Sequence, residues 1–110
     1  MAIEVPTHQE RRLALDSEFR RILGNNNTYF QPPATVQLKY PCMIYNLVAG
    51  DTRYADNNGY FMARRYEVTH VHRDPDVDLL DVMPREFRNC RFDRRYTADN
   101  LYHDVYTLYF

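Results

Sequence analysis

The chain has 110 residues and a formal net charge of −1, which is the size of one domain and gives no general field for attracting nucleic acid or an anionic membrane. It contains no run of about 18 apolar residues that could cross a bilayer, and residues 1–12 lack the apolar centre of a signal peptide. We therefore expect a single domain over residues 1–110, soluble and made in a cytoplasm, with no membrane partner. The two cysteines, Cys42 and Cys90, lie in apolar strand-like contexts, which predicts buried free thiols.

The composition points to contact surfaces. Lys39 is the only lysine among 14 basic residues, and the chain has ten tyrosines but no tryptophan. Protein interfaces are enriched in Tyr and Arg and depleted in Lys, because planar guanidinium groups pair bidentately and Tyr offers a large rigid contact area. GC-rich coding would also favour Arg over Lys, but it does not account for the tyrosines.

Residues 1–7 are expected to form a flexible tail, and a helical pattern follows from His8 to Leu23. Its apolar side chains recur at helical spacing and form one stripe: Leu15, Phe19, Ile22 and Leu23. This pattern predicts an amphipathic helix packed on a sheet. Gly24 suits the left-handed position just past the last helical turn.

Residues 25–33 form a turn-rich segment in which Tyr29 and Phe30 are predicted to anchor the chain on the core. The strand predicted at residues 42–49 is apolar on both faces, so both faces should be covered. The N-terminal helix is one expected cover. A second helix or a neighbouring subunit is the other.

The longest predicted feature is a β-hairpin over residues 41–73, with Asn58-Gly59 as its two-residue turn. This turn places Leu47 opposite His70. Each arm then has about ten residues and is roughly 33 Å long at about 3.3 Å per residue, whereas a compact domain of this size has a radius of gyration of about 13 Å. Residues 50–64 should therefore project from the core.

The projecting tip carries apolar and charged groups that have no obvious partner in their own chain. We predict that these residues contact a second subunit or another partner: Arg53, Tyr54, Asp56, Tyr60, Phe61, Met62 and Arg64. The proximal half of the hairpin, residues 42–48 and 66–71, is predicted to belong to the core sheet.

After the hairpin, Asp74 is expected to cap a short second helix that contains Leu79, Leu80, Val82 and Met83. Pro84 should end this helix or begin one further turn. From Cys90 the pattern alternates again and predicts a half-buried strand with Cys90, Phe92 and Tyr96 on one face. A turn at residues 98–100 leads into a last strand, residues 101–110. The sequence therefore predicts an α+β domain on a mainly antiparallel sheet, with an N-terminal helix, a long projecting hairpin, a short helix and a C-terminal hairpin.

Few residues suggest chemistry. His70 and His72 project from one face of a strand, and His103 with Asp104 could complete a divalent metal site; a hydrogen-bonding strand edge explains the pair more simply. A cysteine nucleophile with a histidine base is a weaker hypothesis, since both thiols fall where core is expected. We therefore expect no catalytic, metal or cofactor residues and no enzyme activity.

Several segments together resemble a family of small tail-completion proteins, the tail terminators of long-tailed bacteriophages. The resemblance covers about residues 10–110 and rests on YFQPP (29–33), YPCMIY (40–45), YADNNGY (54–60), RYEVTHVHRDPD (65–76) and FDRRYTADNLYHDVYTLYF (92–110). The family has an α+β fold with the same order of elements and no catalytic motif. It implies a ring, usually a hexamer, that caps the tail tube and docks onto the head connector.

This resemblance implies a structural virion protein of the tail or neck, made in the host bacterial cytoplasm. Its partners would be copies of itself, the tail tube protein and the head connector or head-closure protein, and DNA would pass through the lumen without sequence-specific binding. A head-closure or adaptor protein of the neck is an alternative, as are a small histidine-based metal-binding protein and a phage regulator that binds one host protein through the hairpin tip.

Overall fold

The computed structural model describes the backbone of residues 7–54 and 62–110 and the side chains of residues 7–48 and 63–110. The elements follow in the order α1 (His8–Leu23), β1 (Thr28–Phe30), β2 (Cys42–Tyr54), β3 (Met62–His72), α2 (Leu79–Glu86), β4 (Cys90–Ala98) and β5 (Leu101–Tyr109). This confirms the predicted α+β class with its two helices and two hairpins. Neither helix within the described residues combines the length and the apolar character that a membrane-spanning helix needs.

The strands form one sheet in the order β1-β2-β3-β5-β4, in which only the β1–β2 pair is parallel. The strand β1 was not predicted, because its three residues follow three asparagines that indicated a turn. A turn does occur there: the Asn25 carboxamide oxygen accepts a hydrogen bond from the Asn27 amide at 2.8 Å. This turn directs residues 28–30 alongside β2, with which they pair as a parallel strand.

The helix α1 begins and ends where its sequence predicts. The Thr7 hydroxyl accepts a hydrogen bond from the Glu10 amide at 3.1 Å, which satisfies one of the free amides of the first turn. Gly24 has a φ of 75° and its amide bonds the Arg20 carbonyl, which closes the last turn in the left-handed conformation. Leu15 and Phe19, at the centre of the predicted stripe, have no solvent exposure.

Both helices pack on the same face of the sheet, which we call the helix face. The Phe19 ring meets Tyr45 of β2 edge-on at 5.1 Å and Phe87, just after α2, at 5.7 Å. Met83 of α2 is fully buried in the same cluster. Aromatic edge contacts of this kind add to the burial of apolar area, so this cluster is the main core.

The opposite face of β2 is covered differently from the prediction, which expected a second helix or another subunit. Leu38, in the segment between β1 and β2, packs on a small cluster of Cys42, Val71 and Leu101. The Tyr29 hydroxyl accepts a hydrogen bond from the Lys39 amide at 3.1 Å, which helps to hold this segment in place. The chain therefore covers this face with its own loop.

The predicted hairpin forms, but its register differs from the prediction. His70 lies opposite Met43, and Leu47 lies opposite Tyr66 rather than His70. The register shifts between Leu47 and Thr52, where β2 contributes more residues than β3. The prediction counted back from Asn58-Gly59 without an irregularity, which accounts for most of the error. It was already one residue out at Arg53, which pairs with Ala63 rather than Arg64; the turn itself lies outside the described residues.

The second helix begins later than predicted. Asp74 does not cap it: its carboxylate accepts a hydrogen bond from the Asp76 amide at 2.9 Å and closes a local turn, and the helix starts at Leu79. Because Asp and Asn side chains often bond the backbone two residues ahead, the same residues that signal a helix start also make this turn. Pro84 lies inside α2, which continues to Glu86.

The C-terminal hairpin matches its prediction at the turn. Asp99 and Asn100 both have positive φ, 54° and 61°, the conformation that a two-residue type I′ connection requires and that Asp and Asn tolerate. Ala98 pairs directly with Leu101 across this turn.

Candidate functional site

The most concentrated group of polar side chains in the core lies on the helix face, at the end of the sheet where β3 finishes. His70, His72 and Asp104 are 2%, 3% and 0% exposed. Buried ionisable groups need partners, and Asp104 has two. Arg95 donates to both carboxylate oxygens, at 2.5 Å and 3.0 Å, and His72 Nε2 lies 2.6 Å from Oδ2.

Three strands bring this polar cluster, His70, His72, Arg95 and Asp104, together. The β3–β5 register sets His70 directly opposite Asp104, and the β5–β4 register sets Asp104 opposite Arg95. The Arg95 guanidinium also donates to the Pro75 carbonyl at 2.9 Å, which ties the loop after β3 to β4. The polar cluster thus joins three strands and a loop.

An irregularity in β4 puts Arg95 in this position. Phe92 pairs with Tyr106 and Arg94 with Val105, so Asp93 is an extra residue, a β-bulge. Beyond the bulge the two faces of β4 exchange. Tyr96, predicted to share a face with Cys90 and Phe92, therefore lies on the opposite face of the sheet, and that prediction was wrong.

His103 does not join the polar cluster, contrary to the metal-site hypothesis. It lies on the other face of the sheet, where its ring stacks on Tyr96 with centroids 4.6 Å apart. Neighbouring residues on a strand point to opposite faces, so only one of His103 and Asp104 can accompany His70 and His72. Asp104 does.

The hydrogen bonds of His72 fix its protonation. Its Nδ1 accepts a hydrogen bond from the Asp74 amide at 3.2 Å, and an accepting ring nitrogen carries no proton. The ring proton is therefore on Nε2, which donates it to Asp104. Both nitrogens of this neutral imidazole are engaged.

His70 is held differently. Its ring stacks on that of His72 with centroids 4.4 Å apart, and its buried Nδ1 has no hydrogen-bond partner among the described residues. Burial, and then the proximity of His72, lower its pKa to about 4, with Asp104 acting in the opposite direction and Arg95 in the same direction. His70 is therefore neutral at physiological pH.

Asp104 is the charged member of the polar cluster. Burial alone would raise its pKa, but the hydrogen bonds from Arg95 and His72 outweigh that effect, and its pKa lies below the ordinary value. The carboxylate thus stays ionised and is balanced by the Arg95 guanidinium.

As a metal site, this arrangement has the right residue types and a poor hydrogen-bond pattern. One potential ligand atom from each of His70, His72 and Asp104 lies within 4.8 Å of the others. A coordinating histidine, however, needs a nitrogen free of protons and other donors, and His72 offers none without losing a bond. The contacts favour a structural network over a metal centre.

A cleft of about 990 Å³ adjoins the polar cluster. It lies between the end of α1, the segment before β2, the end of β3 and the start of α2. Its apolar lining includes Leu23, Tyr40, Pro41, Val77 and Leu79, and its polar lining includes Lys39, His70, His72 and Arg73. Tyr40 is 43% exposed at this cleft.

The cysteines are free, as predicted, and are not placed for catalysis. Cys42 is buried and Cys90 is half-buried. Among the described residues, no hydrogen bond joins either thiol to a histidine. Burial raises the pKa of both thiols to about 11, with Asp93 adding to the effect at Cys90.

We therefore predict that neither thiol of the native protein reacts appreciably with Ellman's reagent at pH 8 within minutes, because the thiolate is the reactive form. Both thiols should react in 8 M urea, which supplies the matched control. Rapid reaction of one native thiol would contradict the burial described here and revive the nucleophile hypothesis.

The predicted assembly residues fall in three groups. Asp56, Tyr60 and Phe61 lie outside the described residues. Arg53, Tyr54 and Met62 belong to the paired ends of β2 and β3, where the backbone alone is described. Arg64 lies at the base of this ribbon and exchanges two backbone hydrogen bonds with Phe110, at 3.0 Å and 3.1 Å.

Comparisons with protein-family models, with curated protein sequences and with solved structures gave no match.

The sequence did not predict that Arg95 belongs to the polar cluster. The bulge that places it there lies within a run of charged residues, and no sequence pattern marks such a bulge. Asp104 did leave a signal. It alternates with Tyr102 and Tyr106 along β5, so it is a carboxylate on an otherwise aromatic face, and such a group needs a buried cation or donor.

Proposed function

We propose that the protein is a structural subunit of a phage tail terminator ring, which caps the tail tube and joins it to the head connector. The proposal assigns it to the virion tail or neck and gives it no catalytic residues. The alternative within the same neck is a head-closure or adaptor protein.

The observation that carries the proposal is the two-stranded extension of β2 and β3. The last regular β3–β5 pair is Arg65 with Tyr109, and Arg64 still exchanges two backbone hydrogen bonds with Phe110. Beyond Arg64, β2 and β3 continue to pair without a third strand, through Arg53 with Ala63 and Tyr54 with Met62. We call residues 52–64 the arm. An isolated two-stranded ribbon is marginally stable in water, so contact with a partner would stabilise an arm of this kind.

A ring of identical subunits supplies such a partner. Each subunit needs two different surfaces that meet head to tail and close after a fixed number of copies. The arm provides one surface. The near-neutral net charge of −1 allows close packing of copies without strong repulsion, and the arginine-rich, tyrosine-rich composition suits specific contacts.

The test is removal of the arm. Arg53 pairs with Ala63, so replacing residues 54–62 by Asn-Gly joins two residues that already face each other. We expect the trimmed protein to fold, with a circular dichroism spectrum and melting temperature close to those of the parent, and to lose ring formation and tail-tube binding. Light scattering, native mass spectrometry and co-sedimentation with purified tail tubes measure this.

Asn57→Ser, which keeps the arm at full length, is the control and should assemble like the parent. A parent protein that stays monomeric and fails to bind tail tubes would disprove the terminator assignment. Binding to purified connectors in preference to tail tubes would favour the head-closure alternative.

A further inference from the structure

The arm and the cleft lie at opposite ends of the same hairpin. The arm continues the hairpin beyond Arg65, whereas the cleft is bounded by Pro41, just before β2, and by His72, the last residue of β3. The strand β3 has 11 residues and is therefore about 36 Å long at about 3.3 Å per residue. The two features are thus separate surfaces of one subunit.

The cleft has the chemistry of a docking site for an aromatic, weakly acidic segment. Leu23, Pro41 and Val77 give it apolar walls. Lys39 and Arg73, both exposed, supply two positive charges, which exceed the one negative charge of Asp74 in the same lining. A mostly apolar cavity with a few polar groups is the usual form of a binding site.

The His70 nitrogen provides a second indication of a missing partner. Its Nδ1 is buried and unpartnered among the described residues, and the ring lines the cleft. A buried polar group without a hydrogen-bond partner destabilises the folded protein. A hydroxyl or amide that enters the cleft would remove this penalty.

The tip of the arm has the matching composition. Residues 54–62 contain three aromatic side chains, Tyr54, Tyr60 and Phe61, and their only charged residue is Asp56. The aromatic rings can pack against the apolar walls, and a tyrosine hydroxyl can hydrogen-bond the His70 nitrogen. The Asp56 carboxylate can form ion pairs with Lys39 and Arg73.

The arm of the same chain cannot fill the cleft, because it leaves the sheet at the other end. Residues 1–6 are excluded by a similar argument. The helix α1 has 16 residues and is about 24 Å long, and it is its C-terminal residue Leu23 that lines the cleft. Six residues span at most about 20 Å, which is less than the length of the helix.

We propose that the cleft receives the arm tip of a second copy of this chain, with the Asp56 carboxylate facing Lys39 and Arg73. The inference rests on the proposed ring and names the surface that each arm contacts on its neighbour. Arm and cleft then form the heterologous contact that repeats around the ring.

Disulfide trapping between two single-cysteine variants tests the contact. Lys39→Cys carries the new thiol at the cleft and Asn57→Cys carries it at the arm tip, outside the predicted contact residues. Arg91→Cys replaces Lys39→Cys in the control mixture. Arg91 is also exposed and cationic, but it lies on β4, the edge strand that β3 and β5 separate from β2. The natural thiols add little background, because Cys42 is buried, Cys90 is half-buried and the pKa of each is raised to about 11.

Under mild oxidation, followed by non-reducing electrophoresis, we expect the Lys39→Cys mixture to give at least tenfold more disulfide-linked dimer than the Arg91→Cys mixture. Light scattering on the same samples separates the possible failures. Oligomers that show no preference for Lys39→Cys would overturn the arm-in-cleft contact and leave the ring proposal standing. Monomers in all samples would overturn both.

Discussion

Replacement of Asp104 by asparagine should lower the free energy of unfolding by about 3–5 kcal/mol, the range for breaking a buried ion pair by removing one partner. Three N–H donors converge on this fully buried carboxylate, two from Arg95 and one from His72. An asparagine offers one oxygen and one NH₂ group, so an N–H donor would face another donor. Arg95 would also lose its counter-ion while three-quarters buried.

Urea unfolding at pH 7, followed by circular dichroism, measures the loss. Glu18→Gln is the matched control, because it also replaces a carboxylate by its amide and Glu18 pairs with Arg21 on the surface, with side chains 44% and 55% exposed. An exposed pair contributes about 0–1 kcal/mol. If the two variants lost equal stability, the polar cluster would have no special role in holding β3, β4 and β5 together.

Acidification from pH 7 to pH 4.5 should destabilise the protein by roughly 2 kcal/mol through His70 alone. The pKa of His70 in the folded protein is lowered from 6.5 to about 4. Between these two values the unfolded chain binds a proton that the folded chain does not, so stability falls as the pH falls through this window and is constant above it. The groups facing His70 are His72 on its own strand, Asp104 and Arg95.

The comparison with His70→Gln isolates this effect, since a glutamine has no proton to gain. As the pH is lowered from 7.5 to 4.5, the free energy of unfolding should fall more steeply for the parent than for this variant. Burial, followed by Arg64 and Arg12, also lowers the pKa of His8, and this contribution is common to both proteins. Equal slopes for the parent and His70→Gln would show that His70 is not held neutral by its surroundings.

The features that the sequence predicted best are those set by local periodicity and by special backbone conformations. The stripe containing Leu15 and Phe19, followed by Gly24, predicted α1 and the residue at which it ends. Asp99 and Asn100 marked the last turn, because few other residues adopt positive φ there. In both places the local sequence alone determines the backbone conformation.

The features that could not be predicted depend on pairing between distant segments. The register shift between Leu47 and Thr52 and the bulge at Asp93 each change which residues share a face, yet neither leaves a local pattern. The metal-site hypothesis named His70, His72 and His103 with Asp104; the structure brings His70, His72 and Asp104 together and places His103 on the other face of the sheet. The partner Arg95 was invisible for the same reason.

The bulge at Asp93 also bears on how copies of the chain avoid the wrong association. The strand β4 is an edge of the sheet. The unpaired backbone groups of an edge strand can pair with a strand of another chain, which leads to aggregation. The extra residue interrupts the regular spacing of backbone donors and acceptors, and Arg91 and Arg94 are exposed along the same edge. The proposed ring would benefit, since aggregation through β4 would compete with ring closure.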